Sequence, residues 1–116
     1  MHRTRVLICS ENGAPLRNER DAGTFLSVAS ALHAALVAVP VVRVEPNFFS
    51  LSTGVAGEII QKFVNYRMRL AIVGDISPWR DKSKSFRDFV TEANRGQALW
   101  FVTDIDELER RLAPRH

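Results

Sequence analysis

Residues 55–75, VAGEIIQKFVNYRMRLAIVGD, place an amphipathic helix directly before a buried strand. Apolar residues recur at four-residue spacing in two sets, Val55, Ile59 and Phe63, and Ala56, Ile60 and Val64. This spacing predicts one broad helical stripe that faces a core. Arg69 to Val73, which is apolar after its first residue, predicts a buried strand. Gly74-Asp75 predicts the turn that ends this strand.

The same alternation extends toward the N-terminus. Val6 to Cys9 predicts a buried strand, and Asn18 is a good N-cap for a helix with an apolar stripe that includes Ala22, Phe25, Leu26, Ala29 and Leu32. Leu36 to Val44 predicts a second strand. Because Pro40 has no N–H group, the strand must bend, bulge or end its ladder there.

The alternation also extends toward the C-terminus. Ser85 to Asp88 has the pattern of a helix start, and Gly96 suits the position just after a helix, where φ is often positive. Ala98 to Val102 predicts a fourth strand, and Asp104 to Glu107 starts a last helix. The order β-α-β-α-β-α-β-α predicts an α/β fold, with a single-layer, mostly parallel four-stranded sheet and alternating helices, as one domain over residues 1–116.

Composition excludes several classes of protein. The 116 residues are 46% hydrophobic and 25% charged, which is typical of a folded globular domain. The net charge is only +3 and the basic residues are scattered, so we expect no specific nucleic-acid binding. The longest apolar stretch, Ala34 to Val42, is too short to span a membrane. The single cysteine, Cys9, is expected to be buried and structural, and its isolation favours a reducing cytoplasm.

The first candidate site is Ser52-Thr53-Gly54, which directly precedes the helix predicted to begin near Val55. Free N–H groups at a helix start favour an anion, and a phosphate attached to Ser52 or Thr53 would add about two negative charges. The three residues are therefore a candidate switch or anion site. A plain N-cap followed by a small glycine explains the same pattern.

Two further candidates are single charged residues. Asp75 follows the third strand, at the strand end where open α/β sheets bind ligands, and Arg95 is able to bind a phosphate or carboxylate through two hydrogen bonds. The simpler interpretations are an Asp that caps a turn and a cation at a helix C-terminus. His2, His33 and His116 lack metal-ligand spacing and no catalytic or phosphate-loop motif is present, so we expect no metal and no cofactor.

Several motifs resemble an uncharacterised bacterial family, domain of unknown function forty-one-eighty. They are residues 16–21, residues 52–67 with 69–75, residues 86–90, Asn94-Arg95-Gly96 and Trp100-Phe101-Val102. A more distant resemblance is to the STAS domains of anti-sigma factor antagonists. Those domains carry a regulatory serine in an Asp-Ser-x-Gly motif, to which Ser52 and Gly54 correspond, while Leu51 stands in place of the Asp.

Two functions remain open from the sequence. The first is a non-enzymatic regulatory or partner-binding domain, STAS-like, with a protein partner and with Ser52 as its switch. The second is a small-molecule or anion-binding domain, or an enzyme, that uses Asp75 and Arg95. The sequence leaves the oligomeric state and the strand order open.

Overall fold

The computed structural model describes residues 4–113 as an α/β fold built on a four-stranded, all-parallel sheet with strand order β1-β2-β3-β4. The strands are β1 (Val6–Ile8), β2 (Leu36–Pro40), β3 (Arg69–Val73) and β4 (Leu99–Val102). The α-helices are α1 (Glu19–Ala31), α2 (Val55–Asn65), α3 (Ser77–Arg80), α4 (Lys84–Arg95) and α5 (Ile105–Leu112). The predicted alternation of strands and helices is confirmed.

Each strand pairs in register with the next strand along the chain. Leu7 lies opposite Val37, Ala38 opposite Ala71, and Ile72 opposite Phe101. When successive parallel strands are neighbours and each crossover is right-handed, the crossover helices lie on one face of the sheet. The long helices α1, α2 and α4 accordingly pack on the same face.

The sheet separates two apolar layers. The larger layer joins α1, α2 and α4 to side chains on one face of the strands, and its largest fully buried members include Phe48, Phe63 and Phe86. The smaller layer, on the other face, includes Leu36, Ala71, Trp100 and Leu108, the last of these from α5. The alternation of side chains along each strand supplies both layers.

Polar side chains cap the N-termini of α1, α4 and α5. The side chain of Asn18 accepts a hydrogen bond from the Asp21 N–H at 3.0 Å, as predicted. Asp104 accepts one from the Glu107 N–H at 2.8 Å and so caps α5. The predicted start of α4 is wrong by two residues, because Ser83 accepts the Phe86 N–H and becomes the cap. Gly96, with φ of −94°, does not use the positive φ expected there.

Pro40 ends β2, so the predicted strand Leu36 to Val44 is four residues too long. After the proline, Val41–Arg43 forms a 3-10 turn. This turn directs Arg43 to the loop after β1, where its guanidinium donates hydrogen bonds to the carbonyl oxygens of Ser10 and Ala14. The consequence is that the loops after β1 and β2 are held together.

The expectation that β1 is a buried strand is wrong, because β1 is an edge strand and Ile8 is 52% exposed. Cys9 is half-buried rather than buried. Burial raises the pKa of its thiol, and the charge of Arg43 opposes that rise. A raised pKa disfavours the reactive thiolate form, and a structural role for Cys9 stays a prediction.

Two apolar residues assigned to the predicted helical stripes are exposed instead of buried. Leu32 is 51% exposed because α1 ends at Ala31, and Val64 is 45% exposed at the rim of the α2 stripe. Trp79, in α3, is partly buried. The described residues contain no helix long and apolar enough to cross a bilayer.

Candidate functional site

The loop between β2 and α2 presents Ser52 to solvent. Ser52 lies in a 3-10 turn, Leu51–Thr53, and its exposed side chain makes no hydrogen bond with the described residues. The Thr53 Oγ1 lies 2.8 Å from the carbonyl oxygens of both Asn47 and Ser50, and it accepts a hydrogen bond from the Val55 N–H at 3.3 Å. The threonine therefore holds the turn together, and the serine hydroxyl is left free.

Gly54, rather than Ser52, occupies the N-cap position of α2. It has φ of 79°, in the left-handed region that favours glycine, and it offers no side chain to cap the helix. The N–H groups of Ala56 and Gly57 make no hydrogen bond with the described residues. Two donors at the positive end of α2 are thus available to an anion close to Ser52.

Aromatic packing around Phe49 supports the loop between β2 and α2. Phe49, which precedes the turn and is 3% exposed, stacks on Trp79 with ring centroids 4.1 Å apart and an interplanar angle of 19°. Its edge also meets Phe86 at 5.7 Å. Because Trp79 belongs to α3, just after β3, the stack joins the Ser52 loop to the Asp75 loop at the carboxyl edge of the sheet.

Asp75 acts within its own turn. Its carboxylate accepts a hydrogen bond from the Ser77 N–H at 2.9 Å, and hydrogen bonding from Ser77 lowers the pKa of the carboxyl group. The same residue lines a small cavity of about 200 Å³ together with Arg80, Asn94 and Glu107. The turn-capping interpretation describes the observed geometry of Asp75.

Arg95 lies away from Asp75, at the amino edge of the sheet. It forms an exposed ion pair with Glu92 at 2.9 Å and lines a depression of about 510 Å³ that also contains Arg69, the first residue of β3. Asp75 lies two residues after Val73, the last residue of β3. Asn94 lines both cavities, but the structure does not bring Asp75 and Arg95 into one site.

The depression at the amino edge, hereafter the arginine pocket, is lined by four arginines: Arg69, Arg95, Arg110 and Arg111. The guanidinium carbons of Arg69 and Arg111 lie 4.3 and 4.2 Å from the centroid of the Trp100 ring, a cation–π geometry. The Trp100 Nε1 donates to the Gly96 carbonyl at 2.8 Å, which fixes the ring.

Of the four arginines in this pocket, only Arg95 was predicted from the sequence as a site residue. Arg69 is far from Arg110 and Arg111 in the sequence. Arg110 and Arg111 belong to an ordinary helical charge pattern, so no local motif marks any of the three. One sequence feature could have indicated the pocket. Arg69 starts an otherwise apolar strand, and a charged residue next to a buried strand needs a polar environment. Among residues 4–113, no group of three or more His, Cys, Asp or Glu side chains is placed to hold a metal ion.

Neither the curated proteins nor the solved structures contain a match to this chain. The family model described as Domain of unknown function (DUF4180) matches residues 1–112, and the chain therefore belongs to that family.

Proposed function

We propose that this chain is a non-enzymatic regulatory or partner-binding domain that acts in the cytoplasm, with the Ser52 loop as its contact surface and Ser52 as its switch. The observation that carries the proposal is the free, exposed Ser52 hydroxyl on a turn that is otherwise fixed. A modifying enzyme reaches such a hydroxyl without unfolding the domain. The resemblance of Ser52 and Gly54 to the regulatory motif of STAS domains points the same way.

The surroundings of Ser52 favour a response to phosphorylation. A phosphate adds about 1.5 to 2 negative charges and three strong acceptor oxygens. The unbonded N–H groups of Ala56 and Gly57 lie at the start of α2, where the helix dipole favours negative charge. The modified loop would therefore keep its fold while its charge and its hydrogen-bonding pattern change, which is what a partner would detect.

The alternative, one ligand site that uses both Asp75 and Arg95, has less support. The two residues line different cavities, and the Asp75 carboxylate already accepts a hydrogen bond from Ser77. No observation on the described residues favours an enzyme built on this pair.

The test compares the wild-type chain with Ser52→Asp, Ser52→Ala and the matched control Ser27→Asp, which places the same charge on an exposed position of α1. Each protein is used to capture partners from the source cell, and the intact mass of the endogenous protein is measured. We expect a fraction of the endogenous chain to carry one phosphoryl group on Ser52, and only Ser52→Asp to change the captured partner. An unmodified Ser52 together with identical capture by all four proteins would remove the switch.

A further inference from the structure

We propose that the arginine pocket binds the phosphate group of a small molecule, with Arg69, Arg110 and Arg111 as its principal ligands. The pocket lies at the amino edge of the sheet, opposite the Ser52 loop, and the proposal does not depend on a switch at Ser52. Its volume of about 510 Å³ falls in the range of about 300–1,000 Å³ that is typical of small-molecule sites.

The two central guanidinium groups are held in place before any ligand arrives. Arg69 donates from Nε to the Gln97 carbonyl at 2.9 Å and from Nη2 to the Gln97 Oε1 at 3.0 Å. Arg111 donates from Nη2 to the Asn94 carbonyl, and both guanidinium groups pack on Trp100. Such fixed donors lose little conformational freedom when they bind an anion.

Donors remain for a ligand after these contacts are made. Within the described residues, the Nη1 groups of Arg69 and Arg111 and the Nε of Arg111 make no hydrogen bond, and neither residue has a carboxylate partner. Arg110 is exposed and also lacks an ion pair there. Planar guanidinium groups with paired free N–H donors match the tetrahedral oxygens of a phosphate.

The described residues do not fully balance the positive charge of the pocket. The helices α4 and α5 both end there, and each C-terminus carries about half a negative charge, which accounts for part of the arginine charge. Glu92 neutralises Arg95, and none of the described residues that line the pocket is acidic. About two positive charges remain, which matches in magnitude the two negative charges of a phosphate monoester dianion. Burial, together with the repulsion from Arg111, lowers the pKa of Arg69, and a bound anion would relieve that repulsion.

The geometry disfavours a nucleic-acid strand as the ligand. Single-strand binders stack bases on exposed aromatic rings. Trp100 is 4% exposed, and arginine side chains lie on its ring. Recognition in this pocket therefore uses charge and hydrogen bonds, and the phosphate group itself is the recognised part.

The experiment follows the two tryptophan indole N–H signals by NMR while inorganic phosphate is added to the full chain. Trp100 lies in the pocket, and Trp79 stacks on Phe49 at the other edge and serves as the internal reference. We expect the Trp100 signal to move and saturate, the Trp79 signal to stay, and sodium chloride at equal ionic strength to have no such effect. A glycerol phosphate titration then separates a phosphate monoester site from a site for free phosphate alone, since only the former binds both.

Variants identify the ligands. Arg110→Gln removes an exposed side chain, so the fold should persist, and Arg111→Lys keeps the charge but loses the paired donors. We expect each to weaken phosphate binding about tenfold, the value of one charge-assisted hydrogen bond, whereas the exposed α1 control Arg20→Gln should bind as the wild type does. A Trp100 signal that responds equally to phosphate and chloride, or equal weakening by Arg110→Gln and Arg20→Gln, would overturn the proposal.

Discussion

At the scale of single residues, the two adjacent hydroxyl groups of Ser52 and Thr53 have different roles. The sequence favoured either as a cap for α2, because both side chains suit a helix start. In the structure Thr53 makes the hydrogen bonds that close the turn, and Ser52 makes none. A propensity assigns a role to a residue type, but the three-dimensional path of the loop decides which of two neighbours takes it.

Substitution separates the two hydroxyl groups. Thr53→Ala removes the acceptor for the Val55 N–H and the donor to the Asn47 and Ser50 carbonyls, so we expect the free energy of unfolding to fall by about 1 kcal/mol. Ser52→Ala should change it by less than about 0.5 kcal/mol, as exposed substitutions usually do. Urea unfolding of both variants measures the difference. Equal destabilisation would show that Ser52 caps the helix after all.

A second residue-scale prediction concerns acid. The Asp21 carboxylate accepts hydrogen bonds from the Arg17 Nε at 2.8 Å and the Arg17 N–H at 3.0 Å, and the side-chain hydrogen bond from Arg17 is the main reason that the pKa of Asp21 is lowered. Because the folded pKa lies below the unfolded one, this stabilisation is present above the unfolded pKa. It is lost as the pH falls through the folded pKa.

Asp21→Asn tests this pH dependence. The variant should be less stable than the wild type at neutral pH, and the gap should close in strong acid, where the wild-type carboxyl is protonated. Urea unfolding across a pH series measures the gap, with Glu92→Gln as a control for an exposed ion pair. A gap that stays constant down to the lowest pH at which the protein folds would contradict the assignment.

At the scale of elements, the two edge strands of the sheet differ in whether a side chain hydrogen-bonds to their outer backbone groups. The edge strand β4 is covered by the side chain of Asn94, whose Oδ1 accepts the Phe101 N–H at 2.8 Å and whose Nδ2 donates to the Phe101 carbonyl at 3.3 Å. The other edge strand, β1, has no such side chain on Val6 or Ile8 within the described residues. Unpaired edges invite pairing with another chain, and Asn94 removes that opportunity at β4.

Asn94→Ala should therefore destabilise the β4 edge. It leaves the partly buried Phe101 N–H without an acceptor, which costs about 1–3 kcal/mol. Asn94→Asp keeps an acceptor and should retain much of the stability. Hydrogen exchange of the Phe101 amide measures the effect directly. If that amide remains as protected in Asn94→Ala as in the wild type, Asn94 does not cover the edge.

The elements themselves were largely predictable from local sequence. Periodicity located α2 and β3, and capping residues located α1 and α5, because these signals act within a few residues. The Asn94–Phe101 contact and the meeting of Arg69 with Arg111 depend on which strands become neighbours. The local sequence pattern does not determine strand order. For that reason Arg95 was predicted as a candidate site residue, but the arginine pocket around it was not predicted.

At the scale of the whole molecule, the basic charge is partly gathered at one edge of the sheet. The expectation of no specific nucleic-acid binding stays a prediction. The arginine pocket should give at most weak association with DNA or RNA that disappears as salt is added, because such contacts release counterions. Fluorescence anisotropy with random and defined oligonucleotides measures it. Sub-micromolar, sequence-dependent binding at physiological salt would contradict this view of the pocket.

The placement of α5 has a consequence for the chain while it is being made. Each strand lies in the sheet beside the strand that precedes it in the chain, so the helix-covered layer is able to assemble in order of synthesis. The opposite layer, with Leu36, Ala38, Ala71 and Trp100, gains Leu108 from α5 only when residues 105–112 have left the ribosome. A nascent chain that pauses before this point exposes an apolar sheet surface, which is the kind of surface that chaperones bind and that aggregates. The nascent chain therefore keeps this apolar surface exposed until α5 folds onto it.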